Sequence, residues 1–215
     1  MLNTVLYSGF LVATFVLLVI PGPTILTVVA YGISQGRRAV LASAAGVLAG
    51  DALAVTVSLL GLGLVLAVSP NLFFALKIAG AAYLLWLAIQ TWRESNQLGS
   101  ETVTKSEAAP AQPVPLARIF RENFIVTALN PKGIVFFVAF IPAFVDQSLS
   151  YTPQVVIYGA SFVVLGGINA LAYGYSAGAM SSFFQTPARL KWLKRVGALF
   201  LFAAAVYTAT SHLGA

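Results

Sequence analysis

Long apolar runs, rather than an alternation of apolar and polar positions, organise this chain. Six segments are predominantly apolar: Tyr7 to Ala30, Val40 to Val68, Leu72 to Trp92, Asn123 to Val145, Pro153 to Phe183 and Val196 to Ser211. A helix rises about 1.5 Å per residue, so about 20 apolar residues cross a hydrocarbon layer of ~30 Å. The pattern therefore predicts six transmembrane helices. Short polar punctuation separates them, such as S-Q-G-R-R at 34–38 and S-P-N at 69–71. The first segment has no basic stretch before it. Its apolar run also exceeds the roughly 7–15 residues of a signal-peptide core, so a retained helix is expected there.

The longest polar interval runs from Arg93 to Leu116 and contains Q-L-G-S-E-T-V-T-K-S-E-A-A-P-A-Q-P-V-P. Small, polar and proline residues bury too little apolar area to fold alone, so a flexible cytoplasmic linker is expected. It divides the chain into a first three-helix repeat at 1–92, the linker at 93–116 and a second three-helix repeat at 117–215. An odd number of spans makes the second half enter from the opposite side, which is the arrangement of inverted repeats.

Corresponding spans of the two halves carry helix breakers. Span 1 holds Pro21, Gly22 and Pro23, followed by Thr24; span 4 holds Asn130 and Pro131, followed by Lys132 and Gly133. Proline donates no backbone hydrogen bond and clashes with the preceding turn, and the residue before it avoids helical geometry. The carbonyls of Leu17 and Val19, four residues before Pro21 and Pro23, are expected to lose their helical donors. Unsatisfied backbone in hydrocarbon costs several kcal/mol per group, so such breaks persist where protein, water or substrate supplies the missing bonds. Paired interruptions of this kind point to a transporter binding site, whereas a proline kink alone serves packing. The expected fold is thus an all-α integral membrane protein of six transmembrane helices in two inverted repeats, interrupted at Pro21-Gly22-Pro23 and Asn130-Pro131.

Only 8% of the residues are charged and 59% are hydrophobic, with a net charge of +6. Soluble domains carry about 25% charged residues, so this chain cannot cover a water-facing surface. The positions of the cations add orientation. Arg37, Arg38, Arg93, Lys105, Arg118, Arg121, Arg189, Lys191, Lys194 and Arg195 all fall in intervals on one side. The other side has none. The positive-inside rule puts the basic side in the cytoplasm and both termini outside. Two cations lie within spans. Lys77 near the outer end of span 3 can snorkel and is assigned no role. Lys132 lies roughly 14 Å deep and Asp51, in L-A-G-D-A-L-A-V, roughly 16 Å deep. The proline breaks sit at a similar level. Ionisable residues inside spans mark functional sites, although an Asp51–Lys132 ion pair can also be structural.

Small residues suggest how these groups meet. Gly46-x-x-x-Gly50 precedes Asp51, and Gly174-x-x-x-Gly178 lies in span 5; such spacing lets helix backbones approach. Asn169 and Tyr173 are one turn apart on one face of span 5. They line a cavity or, for Asn169, bond a neighbouring helix. The chain has no cysteine and one histidine, His212, which is read as solvated or interfacial. There is no HExxH, P-loop or GxSxG motif, and no basic surface interleaved with aromatics for nucleic acid. An ion gradient, or passive flow, is left as the source of transport.

Three motifs together resemble a family. P-G-P at 21–23, G-x-x-x-G-D ending at Asp51, and F-x-x-x-x-L-N-P-K from Phe124 to Lys132 are similar to the LysE/RhtB family of bacterial amino-acid exporters. The following F-F-V-A-F-I-P-A-F-V, the chain length and the mid-chain polar linker match too, so the resemblance covers nearly the whole chain. Ala143 stands where relatives often carry glutamine. The resemblance implies proton-driven efflux of amino acids or close derivatives, of the neutral or hydroxylated kind, across a bacterial inner membrane. Pro21, Gly22, Pro23, Thr24, Asn130, Pro131, Lys132, Asn169 and Tyr173 are then the expected substrate-binding residues. The substrate carboxylate is expected at the broken helix ends, with Asp51 binding the coupling proton. No enzyme activity, cofactor, metal site or nucleic-acid partner is expected. The expected partners are an amino acid, protons and the lipid bilayer, with a homodimer as the candidate assembly. The competing readings are a membrane scaffold or assembly protein without transport, and a metal-ion exporter, for which one carboxylate without cysteine or buried histidine is a poor site.

Overall fold

The structure is a computed structural model that describes residues 2–68, 70–97, 112–146, 148–178 and 186–210. Most of the expected linker (98–111), the end of predicted span 5 (179–185), His212, and the side chains of Lys77 and Ala143 lie outside the described residues. The described residues form α-helices and no strand. They are α1 (Thr4–Val19), α2 (Pro23–Gln35), α3 (Arg37–Val68), α4 (Pro70–Gln97), α5 (Leu116–Ala128), α6 (Pro131–Val135), α7 (Tyr151–Tyr175) and α8 (Pro187–Thr210). After α6 the chain continues as a π-helical stretch, Phe136–Phe140, and a 3-10 turn, Ile141–Phe144.

Both expected breaks are present. α1 and α2 meet at 55° across Ile20, Pro21 and Gly22, and Pro23 opens α2. α5 stops at Ala128 and Pro131 opens α6. Proline suits the first helical position, where its missing N–H has no intrahelical acceptor to serve. Asn130 caps α6, its side chain accepting a bond from Lys132 N at 3.1 Å. About three turns later Pro142 cannot donate to a carbonyl one turn back, and the chain passes from π to 3-10 winding there.

Three helices, Arg37–Gly61, Tyr151–Tyr175 and Ala188–Thr210, are long and apolar enough to cross a membrane, and the bent α1–α2 pair makes a fourth if it is one span. Several helices overrun their apolar segments. α8 starts at Pro187 rather than Val196, and α4 continues to Gln97. Backbone hydrogen bonding does not stop where hydrophobicity does. α7 ends at Tyr175, with Ser176 N donating to Ala172 O and Gly174 O, and helical winding resumes at 177–178; the rest of predicted span 5, to Phe183, lies outside the described residues. Large side chains such as Phe15, Val57, Leu60, Val164, Leu199 and Phe202 are exposed on the outer faces. Helices apolar on every side fit a lipid surround.

The interior is aromatic. Phe10, Phe136, Phe137, Phe140, Tyr158 and Phe162 are buried together. The wider π turn aims three phenylalanines inward, and Phe137 packs edge-on to Phe162 at 4.6 Å. Helix α3 packs on α5 and α7, α7 packs on both α1 and α2, and α4 packs on α8. Each broken helix therefore rests on the first long helix that follows the other break. The α3–α5 approach is close. A Cβ at Gly46 would lie 2.4 Å from Phe120 O, and one at Gly50 2.8 Å from Phe124 O. Gly174 fills the same role on α7, where a Cβ would meet Val40 Cγ1 at 2.4 Å, but Gly178 faces open space, so the second small-residue motif acts through one glycine only.

The two ends of the bundle differ. At one, Gln35 Nε2 donates to Gln112 O and Val114 N to Gln35 Oε1, tying α2 to the approach to α5. Tyr31 donates to Glu122, which also pairs with Arg118 at 2.7 Å. Lys194 pairs with Glu94 at 2.9 Å, joining α8 to α4. The described loop cations gather here. At the other end Asn3 Nδ2 donates to Asp146 Oδ2 at 2.9 Å, and Gln154 brackets the same turn. Those bonds, from Asn3 first and then Ser148, hold the Asp146 carboxyl below the usual carboxylate range.

Candidate functional site

A cavity of about 70 Å³ lies where the two breaks meet. Its lining includes Gly22 and Thr24 from the first break, Asn130, Lys132 and Gly133 from the second, and Asp51 and Asn169 from the long helices between them. The shared depth of these groups in the sequence thus corresponds to a shared space. Pro21, Pro23, Pro131 and Tyr173 do not line it. The prolines create the breaks, and Tyr173 works one layer back.

That work is the repair of α1. Leu18 O has no helical donor because Gly22 lies outside the helix, and Val19 O has none because residue 23 is proline. Asn169 Nδ2 donates to Leu18 O at 3.1 Å and the Tyr173 hydroxyl donates to Val19 O at 2.6 Å. Two side chains one turn apart on α7 therefore hold the end of α1 open. Both readings of Asn169 hold: it bonds a neighbouring helix and faces the cavity.

Asp51 is 9% exposed. Among the described residues its carboxylate has no hydrogen-bond or ion-pair partner, and Lys132 Nζ makes no ion pair with it; the described ion pairs are Arg118–Glu122 and Lys194–Glu94. The structural ion pair considered for Asp51 and Lys132 is therefore not formed in this conformation, although both groups border one cavity. Room for the carboxylate comes from α7: a Cβ at Gly166 would lie 2.6 Å from Asp51 Oδ2.

Sequence reasoning missed Thr127 and Gly166. Thr127 is 4% exposed, lines the cavity, and sits with its Oγ1 3.5 Å from that of Thr24. Gly166 stands three positions before Asn169, about one turn away on the same face of α7, whereas Thr127 lies in the last turn of α5, just before the break at Asn130. Above Thr127, the buried Asn123 donates to Ser43 Oγ at 3.2 Å, while its Oδ1 has no partner. Among the described residues no group of three histidine, cysteine, aspartate or glutamate side chains is placed to hold a metal.

An apolar helical bundle with a polar cavity at two helix breaks defines a membrane protein of the transporter class. The LysE type translocator family matches residues 15–212, and the chain belongs to that family. It is 29% identical to the homoserine/homoserine lactone efflux protein of Salmonella typhimurium, over 96% of this chain and 97% of that protein. It is 31% identical to the leucine efflux protein of Enterobacter sp., over 73% of this chain and 68% of that protein. An uncharacterized membrane protein of Vibrio cholerae is 29% identical over 91% of this chain and 92% of its own length. No solved structure matches.

Proposed function

We propose that this protein is a secondary transporter that exports neutral or hydroxylated amino acids from the cytoplasm in exchange for protons. The observation that carries the reading is the single cavity at which both helix breaks, Asp51 and Lys132 converge. The first turn of α2, which no side chain caps, offers backbone N–H groups and a positive helix end suited to a carboxylate, with Lys132 adding charge; in α6 Asn130 already takes the N–H groups of Lys132, Gly133 and Ile134. Thr24, Thr127, Asn130 and Asn169 are the polar neighbours available to the rest of the substrate head. Asp51 is the proton site. The relatives named above add the substrate class. Homoserine and its lactone share an α-ammonium group, while only the open acid carries a carboxylate.

In this reading six spans form two inverted repeats, residues 1–92 and 117–215, joined by a cytoplasmic linker at 93–116. The reciprocal packing of each broken helix on the other half supports it, as does the gathering of the described loop cations at one end. Both termini lie outside the inner membrane of a bacterium. The cavity, at about 70 Å³, is smaller than the roughly 300 Å³ of typical ligand sites, so substrate entry requires the halves to part.

The test uses purified protein in lipid vesicles loaded separately with neutral, hydroxylated and basic amino acids. A pH step across the membrane should drive neutral or hydroxylated amino acids out, and basic ones least. No movement of any amino acid by a folded protein would favour the scaffold instead.

A further inference from the structure

Asp51 presents a problem that proton binding alone does not solve. A carboxylate this buried is costly unless it is neutral or has a cation beside it. The described residues offer it neither hydrogen bond nor ion pair, yet Gly166 keeps space clear around Oδ2. The other walls supply Lys132 from α6, Thr24 from α2, Thr127 from α5, Asn169 from α7, and Leu17 and Leu18 from α1. Asp51 is the sole acidic side chain among the residues lining the cavity, and Lys132 the sole basic one. None of the other ionisable groups on the packed elements lines the cavity: Tyr7 bonds Ser161, Tyr158 bonds Phe144 O, Arg37 lies over the Tyr175 ring, and Tyr151, Arg38 and Arg121 are also outside its lining. Tyr173 bonds Val19 O, and Tyr31, Arg118 and Glu122 bond one another at the bundle end. The cavity therefore holds one acidic and one basic group, each without a partner, which is the complement of a zwitterion.

We propose that the Asp51 carboxylate binds the substrate's α-ammonium group, so that substrate and coupling proton compete for the same two oxygens. This rests on the cavity being the amino-acid site. With the cavity open to the cytoplasm, Asp51 gives its proton to that side and the freed carboxylate takes the ammonium of a zwitterionic amino acid. With it open outside, a proton from that side takes the carboxylate and the ammonium leaves. One amino acid moves out, one proton moves in, and no second proton site is needed. The same geometry makes the amine a required feature of the substrate, while Lys132 and the start of α2 hold the carboxylate.

Binding to purified protein separates this from a distinct proton site. The probes are L-homoserine, L-leucine and the α-hydroxy acid counterpart of each, which keeps the carboxylate and replaces the amine. On the acid side, amino-acid affinity should fall about tenfold per pH unit as Asp51 takes its proton, because one bound proton excludes one ligand. The α-hydroxy acids should show no such fall. Asp51→Asn should weaken the amino acids by tenfold or more, abolish their pH dependence and spare the α-hydroxy acids. Gly166→Ala, which displaces the carboxylate without removing it, should weaken the amino acids selectively and keep the pH dependence. Amino-acid affinity that is flat with pH, or an Asp51→Asn protein that loses amino and hydroxy acids equally, would overturn shared occupancy while leaving the transporter reading intact. Failure of a folded wild-type protein to bind any of the four probes, together with no flux in vesicles, would remove both.

Discussion

Removing one oxygen atom from α7 tests whether the break in α1 is held open by side chains. Tyr173 is 9% exposed and donates to Val19 O at 2.6 Å, across 154 positions of sequence. Tyr173→Phe keeps the ring and takes away the donor. Val19 O cannot recover a helical donor, because the residue four positions on is Pro23. A net hydrogen bond is worth about 0.5–1.5 kcal/mol, and a buried group left unpaired costs about 1–3 kcal/mol. Side-chain hydrogen bonds in membrane bundles average about 0.6 and reach about 1.7 kcal/mol. A loss of about 1–2 kcal/mol is therefore expected, close to tenfold in the folding equilibrium. Reversible unfolding in mixed micelles measures it. Tyr158→Phe is the comparison: its buried hydroxyl donates to Phe144 O at 2.8 Å, away from the cavity. Both variants should lose similar stability, but only Tyr173→Phe should also lower amino-acid flux. A Tyr173→Phe loss under about 0.3 kcal/mol, half the usual membrane value, with normal flux would refute the argument.

Gly50→Ala places a Cβ 2.8 Å from both Phe124 O and Thr127 Cβ, so it should push α3 from α5 and cost about 1–3 kcal/mol in the same unfolding assay. The Glu122 carboxyl is held below the usual carboxylate range by Arg118 first and then Tyr31. A lowered folded value contributes stability above the unfolded carboxylate range, about 4.3, and loses it as pH falls through the folded value. Glu122→Gln should therefore flatten the acid limb of a melting-temperature profile and little else. Exposed Ser34 and Ser148 lie at opposite ends, and single cysteines there should label only from the cytoplasm and only from outside, respectively.

The helix breaks were legible in the sequence because proline's chemistry is local: a missing N–H and a fixed ring act wherever they stand. The common depth of Asp51, Lys132 and the breaks was legible too, because depth along a helix is residue count times rise. What counting does not supply is rotation. Whether Pro131 or Thr127 faces the cavity depends on how α5 and α6 turn against α3, and that is set by Gly46 and Gly50 meeting backbone from the other half of the chain. Gly166 illustrates the same gap. Its importance lies in a hydrogen atom where any other residue would strike Asp51. The π and 3-10 windings after α6 were also hidden, since F-F-V-A-F-I-P-A-F reads as an ordinary apolar helix until its aromatic rings must share one core.

As proposed, one cavity carboxylate couples amino-acid exit to proton entry. Counting both species in the same vesicles tests it most directly, with homoserine or leucine efflux followed by label and internal pH by a trapped dye. Wild-type protein should admit about one proton for each amino acid released, as expected if both share a single carboxylate, and Asp51→Asn, confirmed folded, should show no proton movement linked to amino acid. Amino-acid efflux without proton entry in the wild type, or unchanged coupling in Asp51→Asn, would contradict it.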